Sequence, residues 1–263
     1  MYDKRTEKFK EIHVSKVAKE THYYPADVED DLNHLVEIPG GYCIEKLLRL
    51  NSLTDQERHQ LSVYLFTMRS RGPRQRSKAE KAAESAFEKV LAETRELLLH
   101  WNEQAETGEE RQLAKLKLSE FEELERTWQE QPPDLVERLI KTPHISESTV
   151  RAIREMTWEI LPVAPGMQFL TSDTPAHYFE SLGLGDKECQ FTFTITKEVA
   201  LIGHYRGNPG STLYHSPISP YMTREINRRI LSTTERFVFC SKKETWICAA
   251  AKKANPFLSL IRF

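Results

Sequence analysis

The chain has 263 residues and a formal net charge of −2, with 39% hydrophobic and 29% charged residues. A chain of this length can form a hydrophobic core without stabilising disulfide bonds or metal ions. The composition is typical of a globular rather than a disordered protein. No window approaches the ~18 consecutive apolar residues of a membrane span, and the charged N-terminus lacks the apolar core of a secretory signal. We therefore expect a cytoplasmic protein without a membrane contact.

Charge is distributed unevenly along the chain. Residues 80–130 carry 14 acidic and 7 basic side chains, a net charge of −7, whereas residues 224–263 carry 9 basic and 3 acidic side chains, a net charge of +6. Five basic residues with no acid among them lie between two predicted helices: Arg69, Arg71, Arg74, Arg76 and Lys78. Such a group can bind phosphate, or it can be a solvated turn that complements nearby acidic helices.

The N-terminal half is predicted to be mainly helical after an initial hairpin. Residues 2–6 have the composition of a turn, and residues 9–24 form a partly alternating extended run. Residues 27–47 are predicted as a helix in two pieces, interrupted at Pro39-Gly40-Gly41, where the glycine pair indicates a kink or a close approach. The last helix of this half is predicted over residues 148–162.

A long helical hairpin is the largest predicted element. Thr54-Asp-Gln-Glu57 has the pattern of a capping box and begins a helix that Gly72-Pro73 ends. Ser77 is the predicted cap of the next helix. The apolar spacing over residues 78–130, with a turn at residues 103–108, predicts an antiparallel pair of helices. We expect this hairpin to project from the fold with its acidic face in solvent.

The apolar period changes from 3.6 to about 2 after Pro165-Gly166, which predicts a sheet. The predicted strands are residues 167–171, 190–196, 198–205, 236–241 and 246–251, with one helix at residues 217–234. Helices followed by strands predict an α+β fold in a single domain. Its helical half covers residues 1–162 and packs on a small mixed β-sheet built from residues 163–263.

The order and spacing of several short segments resemble the Domain of Unknown Function 4238 family over nearly the whole chain. The most recognisable segments are Arg71-x-Pro73 and Ser172-Asp173-x-Pro175, with Trp158-Glu-Ile-Leu161 between them. In this family a His-Tyr-x-Pro segment normally precedes the Tyr-Asp hairpin, and here the chain opens on the hairpin. We therefore expect either a lost start or a short form of the family. The resemblance implies no reaction.

Ser172 and Asp173 follow a buried-looking predicted strand, where sheet proteins often place functional side chains. Asp173 is a candidate acid, base or divalent-metal ligand, and Ser172 is a candidate orienting group. The same residues also suit an Asx-turn or a helix cap, with Pro175 early in a following helix. His177, predicted on the first turn of that helix, is a candidate proton shuttle beside Asp173 or a packed residue.

Lys197 lies on the next predicted strand, but no glutamate stands two residues before it, which argues against a restriction-type nuclease with an E-x-K pair. Patterns of zincins, P-loops, G-x-S-x-G hydrolases and dinucleotide-binding folds are absent. The candidate phosphate-binding residues are Arg71 and Arg74 near one helix end, and Arg228 with its neighbour Asn227 on a later helix. Ion pairs with the acidic hairpin would explain the same cations.

We predict a hydrolase of the nuclease or phosphodiesterase type that acts on a phosphate-containing substrate, such as a nucleic acid or nucleotide. Asp173 would be the acid or metal ligand, and Arg71 and Lys197 would face phosphate. Two other functions stay open. One is an adaptor that contacts a protein partner or a second copy through residues 78–130, and the other is a toxin or defence effector. An exposed apolar strip in the hairpin would favour the adaptor: Phe87, Leu98, Trp101, Phe121 and Trp128.

Overall fold

The computed structural model describes residues 1–13, 26–130, 145–252 and 258–261. It has two compact units, one made of Met1–Gln75 with Pro143–Phe263 and the other of Arg76–Thr142. Helices dominate the first half of the chain and strands the second, so the predicted α+β class and helical N-terminal half are confirmed. Within the described residues, no helix has the length and apolar character needed to cross a membrane.

The elements follow in chain order. The helices are α1 (Ala26–Leu32), α2 (Ile38–Leu48), α3 (Asp55–Ser70), α4 (Pro73–Gln104), α5 (Gly108–Glu130), α6 (Glu147–Glu155), α7 (Pro220–Thr233) and α8 (Thr245–Lys252). The strands are β1 (Tyr2–Asp3), β2 (Lys8–Phe9), β3 (Thr157–Pro162), β4 (Thr171–Ser172), β5 (Ala176–Tyr178), β6 (Phe191–Thr194), β7 (Val199–His204), β8 (Thr212–Tyr214) and β9 (Phe237–Phe239). A π-helical turn, Asn33–Glu37, joins α1 to α2.

The strands form two small sheets. The larger has the order β5-β6-β7-β3-β8, in which β3 is antiparallel to β7 and parallel to β8. The smaller has the order β2-β1-β9-β4, so the N-terminal hairpin completes a sheet with strands from the C-terminal half. A hairpin at the N-terminus is thus confirmed, but Tyr2–Asp3, predicted as part of its turn, is strand β1, and residues 10–13 of the predicted extended run are not in a strand. Residues 14–24 of the predicted extended run lie outside the described residues.

The predicted helix over residues 148–162 is wrong at its C-terminal end. The helix ends at Glu155, and Thr157–Pro162 is instead a strand between β7 and β8. Trp158 and Ile160 pack into one core cluster while Leu161 packs into another, so the run alternates between the two faces of the sheet. Pairing with two neighbouring strands decides the conformation, because a short apolar run fits either period.

Two other predictions of secondary structure are wrong. Residues 176–178 do not begin a helix after Pro175 but form β5, in which Ala176 pairs with Phe193 of β6. Residues 246–251 are not a strand but part of α8. Three consecutive alanines, at positions 249–251, favour helix there. The strand predicted over residues 167–171 is reduced to β4, and β8 was not predicted.

Buried Arg58 ties α3 to the larger sheet. Its guanidinium donates from Nε to the carbonyl oxygen of Arg154 (2.8 Å), from Nη1 to Thr212 Oγ1 (2.9 Å) and from Nη2 to the carbonyl oxygen of Met156 (2.6 Å). It also lies 3.6 Å from the centroid of the Trp158 ring. The same side chain therefore joins α3 to the end of α6, to β3 and to β8. Burial lowers the pKa of Arg58 to about 10, a value at which the guanidinium stays charged at neutral pH.

The predicted capping box at the start of α3 is confirmed. The N–H of Glu57 donates to Thr54 Oγ1 (3.3 Å), and the N–H of Thr54 donates to Glu57 Oε2 (2.8 Å). By contrast, Ser77 is not a cap, because α4 already begins at Pro73. Pro suits this first helical position because it has no N–H to satisfy.

Pro39 does not break the second helix but lies in the first turn of α2, after the π-helical turn. The predicted close approach at the glycine pair is confirmed for Gly40. A Cβ atom at Gly40 would lie 2.5 Å from Cγ of Tyr64, whereas a Cβ atom at Gly41 would meet nothing within 4 Å. Gly40 therefore lets α2 pack directly on α3.

We expect Gly40→Ala to lower the free energy of unfolding by about 2 kcal/mol, because the added methyl group overlaps Tyr64. Gly41→Ala is the matched control. It should raise stability by about 0.5 kcal/mol or leave it unchanged, because alanine favours helix and the position is open. Urea denaturation of both variants checks this. Equal stability of the two variants would contradict the close approach.

Candidate functional site

The larger sheet lies between two layers of helix. Leu61 and Leu65 of α3 belong to the same core cluster as Trp158, whereas Ile226 of α7 belongs to the cluster of Leu161 and Ile202. Glu159 stands between Trp158 and Ile160 in β3 and therefore points to the α7 face. Glu159 lies among apolar neighbours, and the residue as a whole is 2% exposed.

Glu159 joins two histidines from neighbouring strands. Its Oε1 lies 2.9 Å from Nε2 of His204, at the end of β7, and its Oε2 contacts Nε2 of His215, which follows β8. The strand register produces this arrangement: Thr157 pairs with His204, and the backbone N–H of His215 donates to the carbonyl oxygen of Ile160 (3.1 Å). Strands on both sides of β3 thus deliver one imidazole each to a single buried carboxylate.

A backbone hydrogen bond fixes the tautomer of His204. The backbone N–H of Arg206 donates to Nδ1 of His204 (3.0 Å), so Nδ1 is an acceptor and the proton of a neutral His204 ring lies on Nε2. That N–H then donates to Glu159. His215 contacts Glu159 through the equivalent nitrogen, Nε2. The two histidines therefore contact the two oxygens of one carboxylate through the same ring nitrogen.

Exposure distinguishes the two histidines. The side chains of Glu159 and His204 are 3% and 6% exposed, whereas that of His215 is 35% exposed. A carboxylate that orients an imidazole also stabilises the imidazolium formed when the ring takes up a proton. The cluster Glu159–His204–His215 can therefore act as a general base whose working group, His215, lies at the surface.

Sequence interpretation did not identify this cluster. The one available signal was a glutamate inside the apolar run Trp158-Glu-Ile-Leu161, because a buried carboxylate needs partners. The partners stand 45 and 56 residues later in the chain, so sequence spacing alone did not reveal them.

Asp173 instead holds a turn of the backbone. Its carboxylate accepts N–H groups from Glu235 (3.1 Å), Arg236 (2.7 Å) and Phe237 (2.9 Å), between the end of α7 and β9. Ser172 makes a local turn: its Oγ donates to the carbonyl oxygen of Thr174 (2.8 Å) and accepts the N–H of Thr174 (3.1 Å). These contacts match the capping alternative weighed from the sequence.

The segments Arg71-x-Pro73 and Ser172-Asp173-x-Pro175 meet in the structure. Gly72 packs against Thr174 so closely that a Cβ atom at Gly72 would lie 2.5 Å from Thr174 Oγ1. Arg71 itself contacts Glu37 and lies 3.6 Å from Glu29. The backbones of the two segments therefore converge while the Arg71 guanidinium pairs with carboxylates near α1 and α2.

The other predicted binding residues have separate partners. Asn227 is buried and clamps the backbone before β4, accepting the N–H of Leu170 (2.9 Å) and donating to the carbonyl oxygen of Gln168 (2.9 Å). Arg228 pairs with Glu225 (2.8 Å), and exposed Lys197 lies 3.6 Å from Glu198. Arg74 lies in α4, and its side chain is outside the described part of the structure. The described contacts of Asp173, Asn227 and Lys197 join each to a different part of the chain.

His177 lies inside the fold, on β5 rather than on a helix. It is 5% exposed, its Nδ1 has no hydrogen-bond partner, and its ring contacts Phe179 edge-on at 5.1 Å. Burial, together with the smaller effect of the positive charges of Arg229 and Arg69, lowers the pKa of His177 from its ordinary value of 6.5 to about 3. The imidazole is therefore neutral at physiological pH. Its surroundings oppose the proton uptake that a shuttle requires.

Arg229 is the buried cation beside this histidine. Its guanidinium donates to Thr192 Oγ1 (2.9 Å), Gln190 Oε1 (2.7 Å) and the carbonyl oxygen of Ser259 (2.6 Å). Burial lowers the pKa of Arg229 to about 10. These contacts hold α7 and the C-terminal segment on the larger sheet. Among the described residues, no group of three or more His, Cys, Asp and Glu side chains has an arrangement that could hold a metal ion.

One family model matches most of the chain. The family model described as "Protein of unknown function (DUF4238)" matches residues 1–244. The chain belongs to this family. Comparison with curated proteins and with solved structures finds no match. This match confirms the resemblance seen in the sequence. The matched region includes Glu159, His204 and His215.

Proposed function

We propose that this member of the family is a hydrolase in which His215, held by Glu159, is the general base. One observation carries the proposal: a buried carboxylate bridges two histidines, and one of them reaches the surface. His215 would take a proton from a water molecule. The resulting hydroxide would attack the electrophilic centre of the substrate, and the leaving group would depart with the bonding electron pair.

Each group of the cluster has a separate task in this proposal. Glu159 fixes the ring orientation of His215 and stabilises its imidazolium after proton transfer. His204 occupies the second carboxylate oxygen and is itself fixed by the N–H of Arg206. Fixing Glu159 from both sides keeps the base pre-organised, which is the condition under which a positioned imidazole contributes to catalysis.

We propose that the substrate contains a phosphate group, and that Arg206 binds this group. Its backbone touches His204, and its side chain is 45% exposed. The guanidinium pairs with Glu188 (2.6 Å), whose side chain is 58% exposed. Surface ion pairs of this kind contribute roughly 0–1 kcal/mol, so a phosphate group could replace Glu188 at little cost.

The experiment compares the hydrolysis of chromogenic phosphate monoesters, phosphate diesters and carboxylic esters by the full chain and three variants. We expect His215→Asn and Glu159→Gln each to lower kcat/KM by at least about 10²-fold, because proton transfer and ring orientation are lost. Arg206→Ala should raise KM for phosphate esters and leave that for carboxylic esters unchanged.

His34→Asn is the matched control, since His34 is an exposed histidine whose Nδ1 lies 2.9 Å from the carbonyl oxygen of Asp30. Thermal unfolding of every variant shows whether the fold is kept. Parent-like activity of folded His215→Asn, or no hydrolysis of any of the three ester classes, would contradict the proposed function. An Arg206→Ala variant with unchanged KM for phosphate esters would remove the phosphate part alone.

A further inference from the structure

The hairpin of α4 and α5 leaves large apolar side chains in solvent. On α4 these are Val90, Leu97 and Trp101, with exposed fractions of 55%, 69% and 38%. Residues seven and eleven apart stand about two and three helical turns from the first, so the three side chains form one stripe along α4. An exposed stripe of this length is a feature of helices that bury it against another element.

The second helix carries a comparable stripe. Leu113, Leu116 and Leu124 of α5 are 46%, 54% and 56% exposed, and their spacing of three and eleven residues keeps them on one side of the helix. Phe87, Leu98 and Phe121 are half-buried, and Trp128 lies outside the described side chains. The exposed residues are thus largely different from those that the sequence singled out.

The hairpin buries little of its own apolar surface. Among the described side chains of residues 76–130, the fully buried ones are Ala105 and Ala114, which are both small. Two helices without large buried side chains gain little stability from their own contact, because helix stability in proteins comes mainly from packing an apolar face. A third element that covers the stripes would supply the missing burial.

Charge indicates the chemistry of that element. Residues 80–130 have a net charge of −7. Four of their basic side chains already pair with acids of the hairpin, as in Lys89–Glu93 (3.7 Å) and Lys117–Glu120 (2.7 Å). The net charge of this segment therefore stays acidic. A second copy of the hairpin would bring two like-charged surfaces together, whereas a cationic partner would meet complementary charge.

We propose that the α4–α5 hairpin binds an amphipathic, cationic helix of a partner protein, which packs its apolar face on the two stripes and its basic residues beside the hairpin acids. The arrangement is a helix laid in an apolar groove, completed as a three-helix bundle. This docking surface is independent of the cluster Glu159–His204–His215, and neither proposal requires the other.

The experiment titrates the full chain with a synthetic helical peptide of about 18 residues, with Leu at i, i+3, i+4 and i+7 spacing and Lys elsewhere. Isothermal calorimetry gives the Kd. We expect saturable binding that weakens when NaCl is raised from about 0.05 M to about 0.5 M, since the charges are exposed. The same peptide with Glu in place of Lys should not bind.

Two matched variants separate the stripe from general charge effects. Leu97→Asp places a carboxylate in the stripe and should raise the Kd at least about tenfold. Leu99→Asp adds the same charge at a residue that is 42% exposed on the opposite side of α4, and it should leave the Kd within about twofold. No binding of the cationic peptide, or equal loss in both variants, would overturn the proposal. A dimer of the chain alone that Leu97→Asp dissociates would also overturn it, because the occupant would then be a second copy.

Discussion

Asp173→Ala is expected to lower the free energy of unfolding by about 3 kcal/mol. The side chain accepts three backbone N–H groups, from residues 235, 236 and 237, at the turn that leads α7 into β9. Each donor left without a partner costs roughly 1–3 kcal/mol when buried, and the half-exposed position brings the sum toward the lower end. Urea denaturation followed by circular dichroism measures the change.

Asp186→Ala provides the comparison for this variant. The carboxylate of Asp186 accepts the N–H of Glu188 (2.7 Å) in an exposed turn, so the loss of this contact should cost less than about 1 kcal/mol. Asp173→Asn should lie between the two, because an amide oxygen accepts hydrogen bonds without the charge. An Asp173→Ala protein as stable as Asp186→Ala would show that water satisfies the three N–H groups.

The Asp173 variant also separates two hypotheses about the chemistry. If Asp173 is the catalytic acid or metal ligand predicted from the sequence, Asp173→Ala abolishes activity in the molecules that remain folded. If Glu159 and His215 perform the chemistry, activity per folded molecule stays near that of the parent. Measuring kcat at a temperature well below the unfolding transition distinguishes these outcomes.

Acidification is expected to destabilise the protein through His177. Its pKa is depressed to about 3 in the folded protein, and the unfolded chain has the ordinary value of 6.5. Between about pH 6.5 and about pH 3 the unfolded chain binds a proton at His177 that the folded protein does not bind. The free energy of unfolding is therefore unaffected by His177 above about pH 6.5 and falls as the pH decreases toward about 3. The expected loss is about 2 kcal/mol by about pH 5 and about 4 kcal/mol by about pH 3.

His177→Gln isolates this contribution. The variant removes the titrating group, so its stability should fall less steeply with acid than that of the parent, whatever its stability at neutral pH. Chemical denaturation at about pH 7 and about pH 5 gives the two slopes, and groups common to both proteins cancel in the comparison. Parallel slopes would contradict a neutral, buried His177.

The two recognisable segments of the family meet in the fold. Gly72 packs against Thr174, and the adjoining Asp173 holds the turn before β9. α3, the strand pair β4 and β9, and the end of α7 therefore meet at this point. The short segments that carry the resemblance to the family therefore lie where several elements contact one another. The cluster Glu159–His204–His215 lies at a different place, on the larger sheet.

Local signals in the sequence determined a good part of the fold. The capping box Thr54–Glu57, the break at Gly72-Pro73 and the helical spacing of α4 and α5 depend on residues a few positions apart, so the sequence predicts them directly. The alternation in β6 and β7 is equally local, because the side chains of a strand have a period of two. The order of predicted helices followed by predicted strands was then enough to predict the α+β class.

Tertiary structure decided the rest. Whether Trp158-Glu-Ile-Leu161 is helix or strand depends on the strands that flank it, and those come from positions 199–204 and 212–214. The same pairing brings His204 and His215 to Glu159, and the turn after α7 brings three N–H groups to Asp173. Contacts between residues more than 40 positions apart leave no fixed spacing in the sequence. The sequence alone therefore located polar residues at element ends. Only the folded chain showed that one of them, Asp173, holds the backbone and that Glu159, inside a strand, holds an imidazole at the surface.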